Sequence, residues 1–222
     1  MIKFENAEVW GFEHAIRGMR NPMNSWDKSD SCYKHCTACN HGEYFDIGKN
    51  DMALMKQLIK AGSSHRKFLR QIFVSVDITA PLYWWKEHET YKVGTVSNSC
   101  STMHRIAAKP FELDDFSHEH LTTRSMELLL QTIKYLNECR DLYVNYETHD
   151  NNGFAKPTKK EVWWQLIQLL PSSYNQKRTV TMSYENLLNM YEQRRGHKLN
   201  EWKEFCSWIF RLPYSELLEI DD

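Results

Sequence analysis

The chain has 222 residues, of which 41% are hydrophobic and 26% are charged, and its formal net charge is −1. This length and composition predict one globular domain, residues 1–222, with a substantial buried core. A net charge near zero argues against broad binding of nucleic acids or anionic membranes. The sequence has no apolar run long enough to span a bilayer, and its N-terminus does not resemble a signal peptide, so we expect a cytoplasmic protein.

Aromatic residues and cysteines are the compositional features that bear on function. Eight tryptophans and eleven tyrosines are many for this length, and such an excess indicates a densely packed core, a ligand pocket or subunit interfaces. Because no secretion signal is recognised, the six cysteines are predicted to be reduced thiols.

The first 62 residues predict a strand, a helix, an irregular insert and a second helix. Alternating apolar residues indicate a strand near residues 2–10, and the helix after it ends before Pro22. Residues 23–49 are polar and irregular. The second helix begins at the cap Asn50 and stops at Gly62. The inward faces are predicted to be Phe12, Ala15, Ile16 and Met19 in the first helix and Met52, Met55, Leu58 and Ile59 in the second.

The central stretch, Gln71–Arg105, combines a strand, a short helix and a polar loop. Apolar alternation from Ile72 predicts a half-buried strand that ends at Pro81. A short aromatic helix follows, and then a run rich in hydroxyl groups, Gly94–Thr102. Such a loop can present donors to an anionic ligand, although a solvated connection explains its composition equally well.

The C-terminal half is predicted to be mainly helical, with helices over Thr122–Tyr143 and Lys159–Leu170 and two more capped near Ser183 and Asn200. Asp150–Gly153 forms a loop. The overall pattern predicts an α/β or α+β fold, a mixed sheet surrounded by helices. The inward residues are predicted to be Met126, Leu129, Leu130, Ile133, Leu136 and Tyr143 in the long helix and Trp202, Phe205, Cys206 and Ile209 in the last.

The insert at about residues 23–49 carries the spacing C-x3-C-x2-C at Cys32, Cys36 and Cys39. Radical chemistry on an iron–sulfur cluster would need a barrel of βα repeats, which the sequence lacks. Zinc completed by His41 or His35 is the better metal interpretation. The simpler interpretation is that the three thiols are incidental residues of an exposed insert. We therefore predict no metal site and a peripheral insert.

Two stretches together resemble the flavin-dependent thymidylate synthases. The first, Leu54–Met103, has that family's order of helix, glycine, strand, Ala-Pro, aromatic helix and ligand loop. The second has its helix with an asparagine and an arginine, followed by a histidine. Together the stretches cover about half of the chain. The matching residues of the second stretch are Leu170-Pro171, Val180-Thr181-Met182-Ser183, Leu187-Leu188-Asn189, Arg194 and His197.

The resemblance implies a thymidylate-synthase-complementing-protein-like fold and assigns roles to individual residues. Arg194 would hold and polarise the pyrimidine, a role that suits a guanidinium because it stabilises negative charge developing on the ring. Ser101 and Asn98 would bind the substrate, with the Ser101 hydroxyl at its phosphate. The residues implied at the flavin are Asn189, His197, Tyr91 and Lys92.

The same resemblance implies cofactors, substrates and assembly. FAD, reduced by NADPH, would supply the hydride, and methylenetetrahydrofolate would supply the one-carbon group. A dUMP-like pyrimidine nucleotide would accept the one-carbon group. In the family the active site lies between subunits of a homotetramer. The pairs Trp84-Trp85 and Trp163-Trp164 also favour an oligomer, because adjacent residues of a helix point to different faces and one core is not expected to bury them all.

The sequence departs from the family at positions that bind phosphate. Each lost charged hydrogen bond would cost about 1.5–3 kcal/mol, so a catalytically inactive nucleotide-binding or protein-interaction module on the same scaffold is the alternative function. A zinc-stabilised interaction module is a third. Family arginines or histidine are replaced at Thr90-Tyr91-Lys92, Met103, Ile167 and Glu185, and the candidates to compensate are Arg17, Arg20, Lys177 and Arg178.

Overall fold

A computed structural model describes residues 2–35, 43–148 and 156–219. Its helices and strands confirm the α+β fold class. The strands are β1 (Lys3–Trp10), β2 (Cys32–His35), β3 (Glu43–Asp46), β4 (Phe73–Pro81), β5 (Val96–Ser99) and β6 (Asn175–Ser183). The helices are α1 (Phe12–Arg20), α2 (Lys49–Lys60), α3 (Leu82–His88), α4 (Thr123–Val144), α5 (Lys159–Gln168), α6 (Tyr184–Arg194) and α7 (Asn200–Ile209).

Two sheets organise the strands. One has four strands in the order β1-β4-β6-β5. The other is the antiparallel pair β2–β3, whose register runs from Cys32 opposite Asp46 to His35 opposite Glu43. In the part of the chain described, no helix is both long and apolar enough to cross a membrane.

The chain divides into two compact units built from alternating segments. The α4 unit comprises the N-terminal end through Lys3, Ile78–Thr90 and Asn98–Thr179, and so contains α3, α4 and α5. The α6 unit comprises the remaining segments, which carry α1, α2, α6 and α7.

The core of the α4 unit lies along one face of α4. Leu129, Ile133 and Leu136 recur at helical spacing on that face and are buried against the connection after β5 and against α5. Leu130, predicted to point inward, is 47% exposed, because it lies about 100° around the helix from Leu129. The nine buried residues of this core are Ile106, Phe111, Phe116, Leu129, Ile133, Leu136, Cys139, Val162 and Leu166.

The tryptophan pair of α3 is buried within its own chain. Trp84 and Trp85 are 0% and 1% exposed, with ring centroids 4.9 Å apart in an edge-to-face arrangement. The indole N–H of Trp85 donates to the Gln176 carbonyl at 2.9 Å. One core therefore buries both rings of this pair. Trp164 of the second pair is 40% exposed.

In the α6 unit the predicted inward faces of α1 and α7 are confirmed, since Phe12, Ala15, Ile16 and Met19 and then Trp202, Phe205, Cys206 and Ile209 are all buried. Helix α2 begins one residue before the predicted cap, at Lys49. The first backbone N–H groups of α2 are capped by a residue that is distant in sequence. The Asp30 carboxylate accepts hydrogen bonds from the N–H groups of Asn50 and Asp51. Sequence reasoning could not see that cap.

A buried ion pair fixes part of the insert to this unit. Arg20 Nε lies 2.6 Å from Asp51 Oδ1, and the two side chains are 4% and 0% exposed. The other carboxylate oxygen accepts from the hydroxyl groups of Ser29 and Ser31 at 2.7 and 2.6 Å. Burial raises the pKa of Asp51, but these hydroxyls and Arg20 outweigh it and leave the pKa below its ordinary value.

The insert is more ordered than predicted, and strands β5 and β6 were missed; β5 lies within the run Gly94–Thr102 that was predicted to be a loop. Residues 32–35 and 43–46 pair as β2 and β3, although residues 23–49 were expected to be irregular. Strand β6 was not predicted, because Lys177 and Arg178 interrupt an alternation in which Gln176 and Val180 are buried. The predicted loop at Asp150–Gly153 lies outside the described residues.

Candidate functional site

Arg194, the predicted pyrimidine-binding residue, ends α6 and lies against Tyr91. Its Nε donates to the Tyr91 hydroxyl at 2.8 Å, and that hydroxyl donates to Gln193 Oε1 at 3.1 Å. The guanidinium carbon also lies 4.8 Å from the ring centroid of Trp202, within cation–π distance. Tyr91 and Trp202 therefore orient a half-buried guanidinium.

His197 lies beside this group. Its ring is 6.3 Å from Trp202 at an interplanar angle of 69°. Its Nδ1 accepts from the Leu199 backbone N–H at 3.2 Å, so the neutral ring carries its proton on Nε2. The structure thus brings Tyr91, Arg194 and His197 together around Trp202, a residue predicted only as core.

The turn after Tyr91 is fastened to α6. Asn186 Nδ2 donates to the Val93 carbonyl at 2.8 Å, and the hydroxyl of Thr95 donates to the Tyr91 carbonyl at 2.9 Å. The φ angle of Gly94 is 75°, a backbone conformation that residues other than glycine rarely adopt. These contacts place Tyr91 on Arg194 and leave Lys92 exposed at the turn.

Asn189, predicted to touch the flavin or nucleotide, is engaged by a residue that sequence analysis missed. Its Oδ1 accepts from Arg66 Nη2 at 3.2 Å. Arg66 Nε also lies 3.2 and 3.1 Å from the two carboxylate oxygens of Glu185, and both residues are more than 90% buried. The position where the family resemblance expects an arginine thus holds the acidic half of a buried ion pair.

Ser101 belongs to the α4 unit, where it lines a cavity of about 260 Å³. Its Oγ accepts from the His104 backbone N–H at 3.0 Å. The loop is held to β6, because the Cys100 N–H donates to the Lys177 carbonyl at 3.0 Å and Gln176 Nε2 donates to the Cys100 carbonyl at 2.7 Å. We call this the Ser101 cavity.

The Ser101 cavity has the chemistry of an anion site. Hydroxyls come from Ser101 and Thr102, and cationic side chains from Arg105, Lys109 and Lys177. One carboxylate, Asp115, also lines it and lies 2.5 Å from Lys109 Nζ. Arg105 follows Ser101 by four residues in a turn, where its backbone N–H donates to the Ser101 carbonyl at 3.3 Å, and it was not singled out from sequence. Asn98 is exposed in β5 and is not among the lining residues.

Two of the cations proposed to compensate for lost arginines serve other purposes. Arg20 is buried against Asp51. Arg178 packs 4.3 Å from the Trp85 ring centroid and pairs with Glu89 at 2.9 Å. Lys177 lines the Ser101 cavity, and Arg17 is exposed on α1. Of these four cations, Lys177 is the one that lines the Ser101 cavity.

The cysteine cluster is only partly described. Cys32 is an exposed free thiol in β2, and His35 Nε2 lies 3.1 Å from Glu43. Cys36, Cys39 and His41 lie outside the described residues. Over the ranges 2–35, 43–148 and 156–219, no group of histidine, cysteine and carboxylate side chains is arranged to hold a metal ion.

Comparison with known proteins relates the chain to solved structures. The crystal structure of the flavin-dependent thymidylate synthase ThyX from Helicobacter pylori, complexed with FAD and dUMP, superposes with a TM-score of 0.65 at 15% identity, covering 98% of this chain and 97% of that chain. A second Helicobacter pylori ThyX structure with FAD and dUMP gives 0.61 at 14%, covering 97% and 94%. No family model and no curated protein sequence matches. The chain has a ThyX-like fold, as the sequence resemblance predicted.

Proposed function

We propose that this protein binds a dUMP-like pyrimidine nucleotide and a flavin, as a divergent thymidylate synthase-like enzyme. The observation that carries the proposal is Arg194, whose guanidinium is held by the Tyr91 hydroxyl and packed on Trp202 in a chain with a ThyX-like fold. A guanidinium held in this way can hydrogen-bond a uracil carbonyl and stabilise charge developing on the ring.

We propose the Ser101 cavity of the α4 unit as a binding site for a phosphate group. Hydroxyl groups of Ser101 and Thr102 beside Arg105 and Lys177 form a donor set suited to a phosphate monoester. Arg105 and Lys177 take over the charge that the family resemblance expects at Met103. Asn98 is proposed to contact the substrate from the exposed edge formed by β5.

We place the proposed flavin contacts in the α6 unit, because its side chains suit an aromatic ring. Tyr91 offers a partly exposed aromatic ring, and His197 and Asn189 are partly exposed polar side chains of the same unit. Lys92 is the exposed cation proposed for the FAD diphosphate, since Arg20 and Arg66 are committed to buried ion pairs. When bound, the flavin would supply the hydride.

The proposal extends to co-substrates, assembly and location. NADPH would reduce the flavin, and methylenetetrahydrofolate would supply the one-carbon group that makes the protein a methyltransferase of nucleotide biosynthesis. We propose a cytoplasmic location, where thiols such as Cys32 and Cys100 stay reduced.

Replacing Arg194 with alanine should weaken dUMP binding by at least about tenfold, because charged hydrogen bonds contribute roughly 1.5–3 kcal/mol each. Calorimetric titration of dUMP, dTMP and FAD into both proteins measures this change. Deoxyuridine, which lacks the phosphate, should bind the wild type more weakly than dUMP. The absorbance spectrum of the purified protein shows directly whether flavin copurifies.

Arg195→Ala is the matched control for Arg194, since Arg195 is the next residue and is exposed. It should leave dUMP affinity unchanged and lower stability by no more than about 0.3–1 kcal/mol, the contribution of a cation at a helix C-terminus. Failure of the wild type to bind dUMP, dTMP or FAD would refute the enzyme and leave only the fold.

The alternative function is a catalytically inactive nucleotide-binding or protein-interaction module on the same scaffold. The observation that favours it is the Arg66–Glu185 pair, which puts a carboxylate where the family resemblance expects a phosphate-binding arginine. Binding of dUMP without flavin, and without turnover when NADPH and methylenetetrahydrofolate are supplied, would select this alternative.

A homotetramer is part of the proposal, and exposed apolar side chains in the α4 unit support it. Leu128 and Tyr135 of α4 are 58% and 46% exposed, one heptad apart on the same helix face. Trp164 and Leu169 are also exposed. Light scattering at micromolar concentration should give four times the chain mass of 26.5 kDa. A monomeric mass would contradict the assembly.

A further inference from the structure

A second cavity lies in the α6 unit, formed by residues that the proposed function does not use. It measures about 680 Å³, within the range of roughly 300–1,000 Å³ that is usual for small-molecule sites. Aromatic side chains dominate its lining. We call it the aromatic cavity, and its aromatic residues include Trp10, Phe12, Tyr33, Phe45 and Tyr214.

The rings of the aromatic cavity are held in place by contacts from three segments. Tyr33 packs edge-to-face on Phe45 across the β2–β3 pair at 5.1 Å. Phe12, at the start of α1, packs on Tyr214 at 5.1 Å and 73°. Gly11, between Trp10 and Phe12, has a φ angle of 104°. A Cβ atom at this position would lie 2.2 Å from the Gln71 carbonyl oxygen, so only glycine fits this turn.

Tyr214 carries backbone strain at the cavity. Its φ of 53° is unusual for a bulky side chain, and such strain concentrates at functional sites. The conformation is stabilised by two hydrogen bonds of the ring hydroxyl, which donates to the Phe45 carbonyl at 2.9 Å and accepts from the Ile47 N–H at 3.0 Å. The strained residue therefore joins the C-terminal segment to β3 at the cavity wall.

The charge of the lining is negative. Glu13 and Glu43 both line the cavity, and His14 is the lining residue with a basic side chain. Glu13 accepts from the Tyr33 hydroxyl at 3.1 Å, which holds its carboxylate at the hydroxyl end of that ring. Glu43 lies 3.1 Å from His35 on the neighbouring strand. Two carboxylates disfavour nucleotides, folates and other anions at this site.

Aromatic faces combined with carboxylates suit one chemical class. A tetraalkylammonium group is too weakly hydrated to prefer water strongly, and aromatic rings attract it through their negative faces. We propose that the aromatic cavity binds an organic cation carrying an alkylated ammonium group. Its source is either a free molecule such as choline or a trimethylated lysine side chain.

The decisive comparison is between choline and 3,3-dimethylbutan-1-ol, a neutral molecule of the same shape. Calorimetry on the full chain at constant ionic strength should show choline binding at least about tenfold more tightly, because several rings and two carboxylates act on the charge. A trimethyllysine peptide is the second probe, and tighter binding of one probe identifies the source. Equal affinity for choline and the alcohol, or heat from neither cation at millimolar concentration, overturns the proposal.

Variants of Tyr33 separate the ring from its hydroxyl. Tyr33→Leu should weaken choline binding by about fivefold through loss of one aromatic face, whereas Tyr33→Phe should retain most of the affinity. Glu13→Gln should also weaken it. Tyr135→Leu, a similarly exposed tyrosine in the α4 unit, is the control and should leave choline affinity unchanged. Unchanged choline affinity in both Tyr33→Leu and Glu13→Gln would contradict the assignment.

Discussion

Replacing Asp51 with alanine should lower the free energy of unfolding by about 3–5 kcal/mol, because it leaves the Arg20 guanidinium buried without a counter-charge. It also removes the acceptor for the hydroxyls of Ser29 and Ser31. Urea unfolding at pH 7 measures the change. Asp27→Ala, an exposed aspartate in the same segment, should alter stability little, and an Asp51 effect as small as that would refute the role of the pair.

The stabilisation by Asp51 should also depend on pH with a defined sign. Because the pKa of this carboxyl is lower in the folded protein, its contribution is complete above the ordinary aspartate value of about 3.9. The contribution is then lost as the pH falls through the lower, folded pKa. The difference in unfolding free energy between wild type and Asp51→Ala should therefore narrow below pH 4.

Arg66→Met should cost about 3–5 kcal/mol, because Glu185 then remains buried without its cation. The double variant Arg66→Met/Glu185→Met should recover most of that loss, since replacing both partners with apolar side chains removes the unpaired charge. Arg70→Met, an exposed arginine of the same turn, is the control. A double variant no more stable than Arg66→Met would show that the two residues are not coupled.

The same variants test the candidate site. Arg66 also donates to Asn189, so its loss should release that amide and weaken flavin binding even in the recovered double variant. Calorimetry with FAD on the double variant separates this positioning effect from stability. Unchanged flavin affinity would mean that Asn189 needs no help from Arg66.

Local patterns predicted the helices well and the long-range pairs not at all. The faces of α1 and α7 followed from apolar spacing, because helix periodicity is written in neighbouring residues. The Arg66–Glu185 pair joins residues 119 positions apart, and nothing near either residue indicates the other. Strand β6 was hidden because its charged residues belong to a cavity and an aromatic contact rather than to solvent.

The candidate site divides in the same way. Arg194, Asn189 and His197 were found through a motif, and the ThyX-like fold agrees with the resemblance that carried them. Trp202 and Arg105 were missed because each lies outside the motif and is recognisable only from the side chains that surround it. Composition suggested an aromatic pocket, but only the pairing of β2 with β3 placed Tyr33 and Phe45 together.

The interleaving of segments in the two units has a consequence for synthesis on the ribosome. Arg66 emerges 119 residues before Glu185, and at roughly 5–20 residues per second the interval is about 6–24 s. During that time the apolar side chains of Phe68 and Leu69 in the neighbouring turn also lack α6, the helix that packs against this turn in the folded protein. The nascent α6 unit therefore exposes apolar surface and an unpaired arginine for seconds, during which aggregation competes with folding.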